Sequence, residues 1–291
     1  MAELHVLVTG ASGFVGRHIL HKLLNDGFRV TGVYNKNTQI CSKKGELTFV
    51  QADLSGNLRN LPDRVDAIVH AAACLDGKGV TVDQLVLGNV VTTRNLVDYA
   101  KGSGVRAFVY LSSTSVYGDV LTHTLDRLTP IIAPGIYGVT KYLGEKLVSG
   151  ASHQLSSMSI RLPGVIGAGA HSNFIATMMD RIIEGSTIKI FNPATRFNNV
   201  VEASDLSNWI STLLTRGWEG SDIMAIGAGT ELTIEEIPKI LMRYAEKKVN
   251  VETAIESNKP AYIIDNEYAK NNYGYSPDTL QEMLKNFAKM N

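Results

Sequence analysis

Through its first two thirds the chain alternates short, unbroken apolar runs with stretches in which apolar residues recur every three to four positions. An unbroken run is what a strand buried on both faces needs, and a period near 3.6 residues is that of a helix with one buried stripe. Strands are therefore expected at 4–8, 29–34, 47–52, 67–73, 107–112 and 158–162, with helices at 13–25, 82–102 and 137–149. Parallel strands need crossover helices that cover both faces of their sheet, so this order predicts an α/β fold with a doubly wound parallel sheet. Beyond about residue 167 the rhythm loosens to a helix near 174–184, a strand at 188–191, a helix near 204–214 and a strand at 222–227. Thr233, with Glu236 three residues later, has the form of a capping box that opens a helix, and Ser276-Pro277 is placed to start the last one. The pattern divides the chain into a domain over 1–167 and a small, discontinuous α/β lobe over 168–291, of which about 195–230 returns to the first domain.

Charge and cysteine content remove several classes of function. With 28 basic and 28 acidic residues the formal net charge is zero, so nothing draws the chain toward nucleic acid or an anionic membrane. Cys41 and Cys74 lie far apart and lack the spacing of a zinc site or a disulfide scaffold, so no metal is expected. No apolar stretch reaches ~18 residues, and the N-terminus enters a strand-like run without a basic segment ahead of it. A soluble, cytoplasmic protein is expected.

The first candidate chemistry lies where the first strand meets the first helix, in "HVLVTGASGFVGRHILHKLL". Gly10, Gly13 and Gly16, with Ser12, Phe14 and Val15 between them, make a turn that lets backbone N–H groups approach a pyrophosphate at the helix N-terminus. A bound dinucleotide in a Rossmann-type sheet is the expectation. A carboxylate at the end of the second strand would hold the ribose 2′-hydroxyl of NAD, but Tyr34, Asn35 and Lys36 stand there. NADP(H) is therefore preferred and NAD(H) remains open, with Lys36 or the pair Lys43-Lys44 as phosphate partners; the alternative is that these lysines decorate a solvated loop. Asp53 and Leu54 end the third strand and Ala71, Ala72 and Ala73 the fourth, bordering the same crevice. Asp53 either accepts from an adenine amine or caps a turn, and the alanines leave room for a flat cofactor.

Three tyrosines precede a lysine by four residues: Tyr137/Lys141, Tyr142/Lys146 and Tyr244/Lys248. One helical turn brings such a pair together, and a cation beside a phenol favours the phenolate, which makes tyrosine a usable base near neutral pH. Neighbours select the first pair: "PGIYGVTK" starts a helix just past the strand "FVYLSSTSVYG", whose Ser112, Ser113 and Thr114 either donate to a substrate oxygen or cap a turn. Tyr142 lies about 140° around the helix from Tyr137, facing away.

Together, "TGASGFVG", Asp53-Leu54, "HAAA", Asn89 within "GNVVTTRNLVDYA", "SSTSVYG", "YGVTK" and "RLPGVIG" resemble the extended short-chain dehydrogenase/reductase family, in particular its nucleotide-sugar epimerases, dehydratases and ketoreductases. The resemblance implies Ser113, Tyr137 and Lys141 as catalytic residues, with Lys141 on the nicotinamide ribose and lowering the Tyr137 pKa. It also implies cofactor contacts at Asn89, Ser112 and Pro163, and substrate contacts at Ser113 and Thr114. Asn173 and Arg196 are candidates beside a nucleotide diphosphate, Arg196 alternatively being an exposed arginine paired with a local acid. The expected activity is reduction by NADPH of the 4-keto group of a nucleotide-diphosphate sugar. Rivals are a 4-epimerase with tightly bound NAD, a non-sugar carbonyl reductase and a non-catalytic NADP-binding sensor. The polar "RFNN" segment and the lack of an aromatic-rich pocket weigh for sugars. A homodimer through the helices at 82–102 and 137–149 is expected.

Overall fold

The computed structural model describes residues 4–36, 46–256 and 262–291, so Cys41, Lys43 and Lys44 lie outside the described residues. The chain runs β1 (His5–Thr9), α1 (Phe14–Asn25), β2 (Arg29–Tyr34), β3 (Leu47–Gln51) and β4 (Ala67–His70). Next come α2 (Val82–Leu85), a π-helical turn (Val86–Val91), α3 (Thr92–Gly102), β5 (Ala107–Ser113), β6 (Thr124–Leu125), α4 (Ile136–Ser149) and β7 (Ser156–Leu162). They are followed by β8 (Gly164–Ile166), α5 (Phe174–Glu184), β9 (Ile188–Phe191), β10 (Arg196–Phe197), β11 (Val200–Glu202), α6 (Ala203–Arg216) and β12 (Ser221–Ala225). The last elements are β13 (Leu232–Thr233), α7 (Glu236–Tyr244), β14 (Val251–Ala254), β15 (Ile263–Ile264), α8 (Glu267–Tyr273) and α9 (Leu280–Met290).

Seven strands form one sheet in the order β12-β7-β5-β4-β1-β2-β3, and the pairings β1–β2, β2–β3, β1–β4 and β4–β5 are parallel. This is the doubly wound sheet that the apolar runs predict. Order reverses at β1, and ligands of such sheets bind beyond the strand ends at the reversal. Leu7, Ile68, Leu96, Phe108 and Val148 are fully buried in its core, each contributing about 1.5–3 kcal/mol of apolar burial.

The chain divides into two compact units. The first comprises the residues through Gly118, Ala133–Arg161 and Ser207–Met224; the second comprises Asp119–Ile132, Leu162–Leu206 and Ala225–Asn291. The division falls at Leu162 rather than at 168, the returning segment is 207–224 rather than 195–230, and 119–132 leaves the first unit altogether. The second unit has its own core around Ile175, Met179, Ile182, Ile237, Leu241, Leu284 and Phe287.

Local differences have local causes. β4 stops at His70, freeing Ala71–Ala73 from the ladder. Glu236 accepts from the Thr233 N–H and hydroxyl, both at 2.7 Å, but Thr233 is tied into β13 opposite Arg196, so α7 begins only at Glu236. The last helix starts at Leu280, because Thr279 rather than Ser276 caps it, accepting from the Glu282 N–H at 3.2 Å. Among the described residues no helix is long and apolar enough to cross a membrane.

Candidate active site

The glycine turn is shaped by close approach of backbone to backbone. Gly10 has φ +66°, and a Cβ there would lie 2.7 Å from the Ala72 nitrogen; one on Gly16 would lie 2.1 Å from the Gly10 carbonyl oxygen. Only glycine fits both places. α1 begins just past Gly13 with no side chain capping it, which leaves its N-terminus to an anion. Phe14 packs edge-on against His18, at 5.2 Å between ring centroids, and Val15 and Gly16 complete the first turn.

A cavity of about 710 Å³ opens at this turn, within the range of small-molecule and cofactor sites. Gly10, Ser12, Gly13, Tyr34, Asn35, Lys36, Asp53, Leu54 and Ala71–Ala73 line it, all singled out in the sequence. Cys74, Val80, Gln84, Leu87 and Gly88 line it too and were not anticipated, since they come from the loop and helix that follow β4. Free-standing backbone at the turn, small alanines at the wall and the volume fit a dinucleotide. Asp53 takes the turn-cap role, accepting from the Ser55 hydroxyl at 2.7 Å and its N–H at 2.9 Å. These bonds, and then the charge of Lys36, hold its carboxyl below the usual range.

β5 delivers Ser113, and α4 delivers Tyr137 in its first turn. Gly138 is why they meet: a Cβ there would lie 2.1 Å from the Ser115 carbonyl oxygen, so the helix seats directly on the turn after β5. Burial pushes the Tyr137 phenol up to about 12, and the neighbouring Ser113 side chain works in the opposite direction. Lys141 is 2% exposed, and burial pushes its ammonium down to about 7 against the attraction of Glu145. The expected lowering of the Tyr137 pKa is therefore absent: both groups lose hydration, and the Lys141 Nζ stands 4.2 Å over the ring of Tyr110 instead.

Several of the expected contact residues also brace the site. The Ser112 hydroxyl donates to Glu145 Oε1 at 2.6 Å. Glu145 is fully buried and paired bidentately with Arg161, Nε to Oε1 at 2.9 Å and Nη2 to Oε2 at 2.7 Å. Asn89, 1% exposed, accepts from the Cys74 N–H at 2.8 Å and donates to the Cys74 carbonyl at 2.9 Å and to the Thr140 hydroxyl at 3.0 Å. It holds the cavity wall rather than lining the cavity. Thr114 lies in the turn after β5, its carbonyl accepting from the Tyr117 N–H. The other tyrosine pairs are packing pairs: Lys146 lies 5.0 Å over Tyr142, and Tyr244 is covered by Arg243 and Lys289.

Pro163, Asn173 and Arg196 belong to the second unit. Asn173 caps α5, accepting from the Ala176 N–H at 2.9 Å and donating to the Val165 carbonyl at 2.8 Å, so its amide is committed to the backbone. Arg196 is exposed and 3.6 Å from Glu231, the local-acid alternative, yet it also lines a cavity of about 480 Å³. Phe174, Phe191, Phe197 and Tyr262 line the same cavity, with Lys189 and Asn199. The expected lack of an aromatic-rich pocket is thus corrected; these rings are scattered along 174–262 and form no local motif.

Known proteins share part of this sequence and the fold. UDP-arabinose 4-epimerase 1 of Arabidopsis thaliana is 28% identical over 182 residues, 56% of this chain and 43% of that protein. A 3-beta-hydroxysteroid dehydrogenase of Mycolicibacterium neoaurum is 32% identical over 184 residues, 58% of this chain and 50% of that protein. The chain thus spans about half the length of the curated relatives it matches. The solved structure of a UDP-glucuronic acid 4-epimerase from Bacillus cereus in complex with NAD shares the fold, with a TM-score of 0.85, 21% identity and coverage of 99% of this chain and 98% of that one. The family model described as "NAD dependent epimerase/dehydratase family" matches residues 6–227. As its resemblance to the extended short-chain dehydrogenases/reductases implies, the chain belongs to the NAD dependent epimerase/dehydratase family.

Proposed function

We propose that the protein is an NAD-dependent epimerase that inverts the C4 hydroxyl of a UDP-sugar. The observation that carries this reading is the family match across residues 6–227 in a chain that keeps Ser113 at the end of β5 and Tyr137 and Lys141 one turn apart on α4. The UDP-arabinose and UDP-glucuronic acid relatives are named as 4-epimerases, which favours this over NADPH-driven reduction of a 4-keto sugar. NAD replaces NADP as the preferred cofactor because the solved neighbour that shares this fold is an NAD complex.

Bound in the first cavity, the dinucleotide supplies hydride acceptance and return. The chain's own residues do the rest. The glycine turn and the N-terminus of α1 receive the pyrophosphate. Tyr137 takes the proton from the C4 hydroxyl and gives it back, and Ser113 donates a hydrogen bond to the same oxygen. Lys141 holds the nicotinamide ribose hydroxyls, and its charge favours the phenolate once a ligand replaces the lost hydration. The cavity of the second unit is assigned to the uridine diphosphate, its rings to the base and Lys189 and Arg196 to the phosphates.

Protein purified without added dinucleotide is expected to release NAD on denaturation and, while native, to interconvert a UDP-sugar and its C4 epimer unaided. Release of NADP, or NADPH consumption by a 4-keto sugar without epimerisation, would return the reading to a reductase. A second reading, oxidoreduction of an apolar alcohol or ketone, draws on the steroid dehydrogenase match and the aromatic cavity. Calorimetric titration with UDP separates the two, since only a nucleotide site takes it up.

A homodimer is proposed through α2, the π turn and α4, which expose Val82, Val86, Ile136, Val139 and Leu143. Sedimentation is expected to give a dimer for the native chain and a monomer for Leu143→Arg; a native monomer ends the proposal.

A further inference from the structure

Lys141 presents a problem that the proposed reaction leaves open: what keeps a buried ammonium charged before any ligand arrives. The titratable groups near it are Glu145 and Tyr137 on α4, His70 on β4 and Tyr110 on β5. On its own helix Glu145 attracts it, but that carboxylate is already matched by Arg161 of β7 and by the Ser112 hydroxyl. Tyr137, also on α4, is a neutral phenol, with its pKa pushed up to about 12. On β4, His70 is fully buried; burial, and then the lysine's own charge, drive its pKa down to about 3, so it stays neutral. Among the described residues Nζ has no hydrogen-bond acceptor. What faces it is the ring of Tyr110 on β5, centred 4.2 Å away.

That ring is held in place. Tyr110 is fully buried and stacks obliquely on His70 at 5.5 Å between centroids. One turn beyond Lys141, a Cβ on Gly144 would lie 2.2 Å from the Tyr110 hydroxyl oxygen. The helix can therefore descend onto the tyrosine only because residue 144 has no side chain. The face of the ring is left for the ammonium, and the negative face of an aromatic ring attracts a desolvated cation.

We propose that Tyr110 is a positioning residue for Lys141: its ring seats the ammonium and keeps the lysine cationic, ready to grip the ribose of a nicotinamide dinucleotide. This rests on the reading of Lys141 as the ribose-holding lysine. Stabilising the ammonium raises the lysine's pKa, so removing the ring lowers it, and affinity for the dinucleotide then fails at a lower pH.

Fluorescence titration with NADH between pH 6 and 9 tests this on dinucleotide-free protein, with thermal unfolding as a check on each variant. The native chain is expected to bind evenly below pH about 7 and progressively more weakly above it, as Lys141 loses its proton. Tyr110→Phe keeps the ring and should leave the break where it is. Tyr110→Leu should move it down by about one to one and a half pH units. Should the leucine variant fail to fold, phenylalanines bearing one, two and three fluorines at residue 110 keep the shape and weaken the ring's negative face stepwise, and the break should fall in step. A break that stays fixed through the leucine variant or the fluorinated series overturns the proposal. Lys141→Met separates the two levels: it should abolish the break, and a break that survives it would instead sink the role given to Lys141.

Discussion

Replacing Tyr137 by phenylalanine is expected to lower turnover by about 10³-fold, the scale of a lost general acid–base group, while dinucleotide affinity is nearly unchanged. The substitution removes one oxygen and keeps the ring, so α4 still seats on the turn after β5 through Gly138. Ser113 is held by the Ser115 N–H and hydroxyl, both at 3.1 Å, so its own position survives. None of the cavity-lining residues is disturbed. The two effects are read separately, turnover by product analysis and affinity by NADH fluorescence. A variant that retains turnover would place the proton transfer on another group; one that loses dinucleotide binding would mean the phenol holds the cofactor rather than the substrate.

Glu145→Ala is expected to cost about 3–5 kcal/mol of stability, because it strands the Arg161 guanidinium in the interior. Arg161 is 6% exposed at its side chain and Glu145 not at all, so neither charge has water to fall back on. The ion pair raises the Arg161 pKa, and the guanidinium, which also lies 4.5 Å over the ring of Tyr117, stays charged when its partner is gone. At about 2–4 °C per kcal/mol for a chain of this size, the midpoint of thermal unfolding should fall by roughly 6–20 °C. Replacing both residues by leucine is expected to restore much of the loss, since apolar groups of similar volume often substitute for a buried pair. A single variant that unfolds within a degree or two of the native chain would show that water reaches Arg161.

The parts of the fold that were legible in advance share one property: their signal is local. β1, β2, β4, β5 and β7 are buried on both faces and read as apolar runs, and the glycine turn and the Ser113, Tyr137 and Lys141 positions sit in short motifs. What escaped depends on distant partners. β6 and β15 are two residues each and show no alternation until they pair with each other. Glu145 lies one turn past Lys141, a spacing visible in the sequence, but its partner Arg161 comes from β7. The expectation of NADP rests on the lack of an acid among Tyr34, Asn35 and Lys36 at the end of β2, a local signal; the charge of Lys36 acting on Asp53 from across the cavity is visible only in the fold. The aromatic cavity of the second unit gathers rings from α5, β9, β10 and the segment before β15.

The wide turn at Val86–Val91 sets a limit on how this chain can be re-engineered. It presents Asn89 so that one amide clasps both backbone groups of Cys74, while Gly88 leaves room for the Cys74 side chain, whose Cβ would lie 2.6 Å from any Cβ at 88. Deleting one residue would let an ordinary helix run straight through, at about 100° per residue, and would swing that clasp off its target. Libraries in this stretch should therefore vary letters and never length, because the reading frame of the coil is itself a structural part.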